Sequence, residues 1–194
     1  MTRYARALGF VALLTLGLVL ATGQNSARAY EDDKETIKAA QKDLVDLAKA
    51  IDDGKDGKEQ AAAIRKKYED LAPIMHIYKP STKGGIGIGT KGAGDGMELK
   101  IINLGKRAPA AKDKDDIVKI GQLNIAIGEV TKLYAPAKPK GGKGAKDWTQ
   151  HCEDQIKASK DLIAAAKSGA AAKVKAAANN LNNACNNCHS DFRD

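Results

Sequence analysis

The amino-acid sequence predicts an all-α protein, an antiparallel bundle of helices joined by short connections. Three observations carry that expectation. The composition is rich in Ala, Lys and Leu, and aromatic residues make up only 4%, which favours helix over strand. Apolar residues recur every three or four positions in five separate segments, the period of a one-faced helix. No run alternates apolar and polar residues as a half-buried strand would, and no internal repeat is visible.

The segments follow in order. The first, Asp32 to about Asp52, carries Ile37, Ala40, Leu44, Leu47 and Ile51 on one stripe and stops at Gly54 and Gly57, residues suited to a helix end. The second, Lys58 to about Tyr78, has Ile64, Tyr68, Leu71, Met75 and Tyr78 in phase. Pro73 lies inside it and is expected to bend its last turn, because proline removes a backbone donor at a cost of about 3 kcal/mol. Residues 79–96 hold Pro80 and seven glycines and read as a flexible loop or lid. A short helical piece, Met97 to Lys106, follows before Pro109. The third long segment, about Asp113 to Tyr134, has the stripe Ile117, Ile120, Leu123, Ile127, Val130 and Tyr134, with Asp113 as its cap. A Pro/Gly/Lys linker spans Pro136 to Ala145. The fourth segment runs from Asp147, a candidate N-cap, to Lys167, with Trp148, Cys152, Gln155 or Ile156, Ser159, and Leu162 or Ile163 in phase. Gly169 ends it. The fifth, Ala170 to about Arg193, aligns Val174, Ala177, Leu181, Cys185, Cys188 and Phe192. Sequential helices with short connections are antiparallel neighbours.

The N-terminus reads as a leader. Arg3 and Arg6 precede a charge-free apolar run, Leu8 to Ala21, and Ala27-Arg28-Ala29 closes it. Basic head, apolar middle and small-x-small site are the parts of a secretory signal peptide, 1–29. The run is short of the roughly 20 apolar residues of a membrane span. The remaining 30–194 suit one domain, exported to the periplasm. Without Arg3, Arg6 and Arg28 that domain has 29 Lys+Arg against 24 Asp+Glu, a modest positive balance that fits acidic partner proteins. Few arginines and no aromatic–basic cluster argue against nucleic-acid binding.

One motif carries chemistry: Cys185-Asn186-Asn187-Cys188-His189, the spacing of a c-type haem attachment site. Two thiols add to the haem vinyl groups, and the adjacent imidazole ligates the iron. On a helix the three residues are related by i, i+3 and i+4 and share a side. One covalent haem c is the expectation, with Cys185 and Cys188 as thioether links and His189 as proximal ligand. The competing readings are a Cys185–Cys188 disulfide, which leaves His189 idle, and a zinc site, which needs four ligands and finds only Cys152, His76 and His151 elsewhere. Gly87-Ile-Gly89-Thr-Lys-Gly92 matches a dinucleotide fingerprint in letters but lacks the preceding strand. Cys152 reads as a buried, inert thiol, with a homodimer disulfide as the alternative; His151 reads as exposed. Arg193, one turn past His189, either approaches the haem or is a cation favoured by the helix C-terminus.

The last part of the chain resembles the class II c-type cytochromes, the cytochrome c′ and c-556 group. The residues that carry the resemblance are Cys185-Asn-Asn-Cys188-His189-Ser-Asp-Phe192-Arg193 at the end of the last helix, and Trp148 after the Tyr134-Ala-Pro136 linker. It covers about Asp113 to Asp194. The resemblance implies a four-helix bundle with haem between the helices, toward one end. It implies that a Met of the first helix is the distal ligand in low-spin members, which assigns that place to Met75, with His76 (turned about 100° away) and then Met97 as alternatives. The sequence departs from the family in carrying an extra helix, Asp32 to Asp52, and in a first bundle helix split by the 79–96 insertion. The function expected is one-electron transfer by a non-enzymatic carrier. A five-coordinate haem that binds nitric oxide or carbon monoxide is the first rival. A peroxidase is the last, since no acid–base constellation is legible.

Overall fold

The computed structural model describes the backbone of residues 15–193 and the side chains of 33–193. Among the described residues seven α-helices and several 3₁₀ turns form, and no strand: α1 (Thr15–Asp52), α2 (Lys58–Lys67), α3 (Ala72–Met75), α4 (Met97–Lys106), α5 (Lys114–Thr131), α6 (Ala145–Ser168) and α7 (Ala171–Phe192). The fold is all-α, a helical bundle. From Ile37 on the chain is one compact unit; residues up to Thr36 form a unit of their own. The proposed leader, 1–29, lies outside the described residues over 1–14, and beyond them only its helical backbone is described. Among the described residues no helix is long and apolar enough to cross a membrane.

The bundle is built by packing of α5 on α6, α6 on α7 and α4 along α7. Its core is the predicted stripes brought together: Ile117, Ile120, Leu123, Ile127 and Val130 of α5, Leu162 of α6, and Val174 and Leu181 of α7. Ala40, Leu44 and Leu47 of α1 and Ile64 of α2 complete it. Helices α5 and α6 approach so closely that a Cβ on Gly121 would collide with Ile163 Cγ1 and lie 3.0 Å from the Ser159 carbonyl, while one on Gly128 would lie 2.6 Å from Ile156 Cγ1. Gly121→Val is expected to cost about 2–3 kcal/mol through overpacking, lowering the melting temperature by about 5–10 °C; an unchanged thermal transition would show that the helices are not in this contact.

Segment two is not one bent helix. It stops at Lys67, and Tyr68 is extended (φ −117°, ψ 111°). A new turn begins at Ala72 with Pro73 in its first positions, where the missing N–H has no intrahelical partner to lose. The break therefore precedes the proline. Asp70 Oδ1 accepts from the Ala72 N–H at 2.8 Å. Tyr68 is held from both sides: its hydroxyl donates to Asp43 Oδ2 (2.7 Å) and its carbonyl accepts from the Tyr134 hydroxyl (2.7 Å).

One expected cap sits three residues further in than expected. Helix α6 begins at Ala145, and Asp147, in its third position, accepts from the Gly144 N–H at 2.9 Å. Asp113 does stand at the N-cap position of α5, without a side-chain bond to that helix; its carboxylate accepts from the Ala110 N–H at 2.9 Å instead.

The glycine-rich loop is stapled rather than free. Ile88 is fully buried in the core. Asp95, only 1% exposed, accepts from the Ser81 N–H (2.9 Å), the Ser81 hydroxyl (2.5 Å) and the Gly92 N–H (3.2 Å), and its carbonyl accepts from Ile88 N–H at 2.8 Å. A Cβ on Gly85 would collide with the Lys79 carbonyl. The bond from the Ser81 hydroxyl, above all, holds the Asp95 carboxyl below its usual 3.8. A depressed folded-state value stabilises above the unfolded value and is lost as pH falls through the folded one. The Ser81 and Gly92 amide resonances are thus expected to titrate together with a midpoint below 3.8; a midpoint at or above that value would contradict the staple.

Candidate haem site

The site is assembled on the last two turns of α7. That helix continues unbroken to Phe192, so Cys185, Cys188 and His189 keep the i, i+3, i+4 relation the motif requires. Both thiols are half-buried, His189 is exposed, and Cys185 and Cys188 are free rather than joined in a disulfide. Burial pushes the Cys185 thiol up to about 12. Burial first, then the Asp191 charge, raises Cys188. Both are held as neutral thiols. For His189, desolvation and then the Arg193 charge lower the pKa, against an opposing pull from Glu98, so the imidazole is kept neutral, the form that binds a metal. Its ring has no hydrogen-bond partner among the described residues. Among those residues, no three His, Cys, Asp or Glu side chains gather to hold an ion, which leaves the zinc reading without ligands.

The start of α6 clamps the end of α7. Trp148 meets Phe192 edge-on, with ring centroids 5.0 Å apart, and its indole N–H donates to the Thr131 carbonyl at 2.7 Å. His151 is not the exposed residue expected: its Nε2 lies 2.8 Å from Asp191 Oδ2, and its ring meets Phe192 at 6.0 Å. The aromatic residue after the motif therefore anchors the helix end. Arg193 is exposed, acts electrostatically on His189, and its N–H closes the helix on the His189 carbonyl at 3.0 Å. Cys152 is 1% exposed and its thiol is pushed up to about 12 by burial; an intermolecular disulfide there would require α6 to open.

Near Cys185, the 3₁₀ turn His76–Tyr78 brings Tyr78, which the periodicity put in phase, together with Gln155, also in phase, and Asn124, which lies off the predicted stripe. Burial, first, and the nearby Cys185 raise the Tyr78 phenol well above its usual value. Its hydroxyl donates to Asn124 Oδ1 (2.7 Å) and accepts from Gln155 Nε2 (3.2 Å). Asn124 Nδ2 donates to the Ile120 carbonyl (2.8 Å) and lies 3.6 Å from Met97 Sδ. An Asn beside one apolar stripe and a Gln on another were the available signal; only their assembly shows that each completes the other, as buried polar groups must. Of the three distal candidates, Met97 is fully buried with its sulfur engaged by Asn124. His76 Nε2 lies 2.8 Å from the Lys83 carbonyl, turned to the loop. Met75 is half-buried against the core, one helical turn before Tyr78, with no polar partner among the described residues.

Two free thiols and a neutral, unpartnered imidazole on one helical side are the donor set of a c-type haem, and the residues present fit that group. An all-α bundle with such a set at the end of its last helix defines a class of protein, the helical-bundle c-type cytochromes. Residues 129–193, about a third of the chain, match the Cytochrome C' family model, so that segment is similar to the cytochrome c′ family. No curated protein and no solved structure matches the chain.

Proposed function

We propose that this protein is an exported, monohaem c-type cytochrome acting as a one-electron carrier and not as an enzyme. The observation that supports this best is the unjoined Cys185–Cys188 pair beside the neutral, unpartnered imidazole of His189. Cys185 and Cys188 would hold the haem through thioether links, His189 would be its proximal ligand and Met75 its distal one. The bound haem supplies the one-electron chemistry. The chain supplies the rest: α6 fixes the end of α7 through Trp148 and Phe192, partial burial shields the thiols, and the Tyr78–Asn124–Gln155 set ties the His76–Tyr78 turn to α5 and α6. A carrier reacts with little rearrangement, and a stapled 79–96 loop suits that better than a mobile lid would. The leader read at 1–29 supports export to the periplasm, where thioether-held haem is not lost by dissociation.

Visible spectra of the purified protein, oxidised and reduced, with and without carbon monoxide, test the reading. A low-spin spectrum unaltered by carbon monoxide is expected. A high-spin spectrum that shifts with the gas would move the function to nitric oxide or carbon monoxide binding.

A further inference from the structure

The structure assigns a docking surface for an acidic redox-partner protein to the lysine hairpin Lys138–Lys146, which is pinned against the haem-bearing end of α7. The inference rests on the carrier reading above and adds where the partner binds.

The hairpin is a built feature. Lys140 and Lys143 pair across a two-residue turn, N–H to carbonyl in both directions at 2.8 and 2.9 Å. Gly141 and Gly142 stand at φ +55° and +82°, the signs that a tight hairpin turn needs and that glycine takes without strain. The pairing holds the lysines on a short, defined ribbon instead of a loose linker. The ribbon is tied to α7 twice: Lys140 Nζ donates to the Phe192 carbonyl at 3.3 Å, and Lys143 Nζ lies 3.7 Å from Asp191 Oδ2. Phe192 and Asp191 are three and two residues from His189.

Among the described residues the ribbon's exposed charge is mostly positive. Lys138, Lys140, Lys143 and Lys146 are all exposed, and exposed Arg193 joins them at the helix end. Of the described carboxylates beside the ribbon, Asp191 is engaged by His151 and by Lys143 of the ribbon itself, and Asp147 by the Gly144 amide. Lys138 and Lys146 have no carboxylate partner among the described residues. A cationic patch at the point of electron exit steers an acidic partner and raises encounter rates by about 10–10³-fold. Brief redox encounters use small interfaces. Between the lysines stand only Pro139, glycines and Ala145, so nothing is offered for insertion into a lipid surface.

The test compares two quadruple variants of the haem-loaded protein that change net charge equally. One is K138E/K140E/K143E/K146E. The other is K160E/K167E/K173E/K175E, around the α6–α7 turn. On α6, which begins at Ala145, Lys160 lies about 22 Å and Lys167 about 33 Å from the hairpin end at 1.5 Å per residue, beyond the ~10 Å screening length of 0.1 M salt. The readout is oxidation of the reduced protein by hexacyanoferrate(III), a compact anion that takes one electron. A loss of at least tenfold is expected in the hairpin variant alone, disappearing at 1 M salt. Equal losses in both variants would reduce the effect to net charge and overturn the proposal. A polyaspartate titration, followed by amide shifts of Lys140, Asp191 and Phe192, reads docking independently of electron transfer. If those shifts occur but the protein carries no haem, the carrier reading fails and the docking surface stands; if they are absent in the native protein, the surface fails. Binding of the native protein to phosphatidylglycerol vesicles, lost in the hairpin variant, would make the surface a membrane contact and overturn the assignment. Helical circular dichroism and Trp148 fluorescence confirm folding, and the Lys→Gln version of the hairpin set, at half the charge change, should show a smaller loss.

Discussion

Cys185→Ala/Cys188→Ala is expected to abolish covalent haem altogether: acid–acetone should strip every haem from the variant and none from the native protein. The geometry argues for both links at once. The two thiols sit one turn apart on an intact helix, unjoined and half-buried, and each single variant should retain one thioether. With burial holding Cys185 at about 12, the apo-protein thiols should also alkylate slowly at pH 8, because the thiolate is the nucleophile. Haem that extracts from the native protein would sink the attachment assignment, and with it the carrier. His189→Ala is expected to keep the links while exposing the iron to exogenous imidazole, a separate signature for the ligand.

Met75→Ala should remove the sulfur-to-iron absorption at the red end of the visible spectrum, lower the potential and open the iron to carbon monoxide, because a thioether ligand raises haem potential. Two neighbours serve as comparisons. His76→Ala should leave the band in place, since the imidazole is turned to the Lys83 carbonyl. Met97→Ala should also leave it in place, but at a stability cost of about 2–5 kcal/mol, the usual penalty for emptying a fully buried site. Loss of the band in Met97→Ala alone would transfer the ligand to α4. No change in any variant would mean an open iron and a gas-binding protein.

Most of the fold was legible because helices advertise themselves. The 3.6-residue period of Ile117 to Val130, or of Val174 to Cys188, follows from local geometry and the need to bury one face. The attachment motif was equally local. What went astray depended on distant partners. Helix α2 stops at Lys67, where the Tyr68 phenol reaches back to Asp43 and the Tyr68 carbonyl takes the Tyr134 hydroxyl, bonds spanning 25 and 66 residues. The 79–96 loop looked mobile from its glycines, yet Asp95 closes it on Ser81, fourteen positions away. His151 looked exposed until Asp191, forty residues on, reached it.

By itself the sequence determined the helices, their apolar faces and the haem-binding motif, since each is written within one or two turns of chain. Only the tertiary structure decided what stands around that motif: Tyr78, Asn124 and Gln155 paired near it, Met97 taken up and Met75 without a polar partner among the described residues, the hairpin lysines set at its edge. Hydrogen bonds and buried neighbours between residues far apart in the chain exist only once the helices have packed, and no period or spacing encodes them.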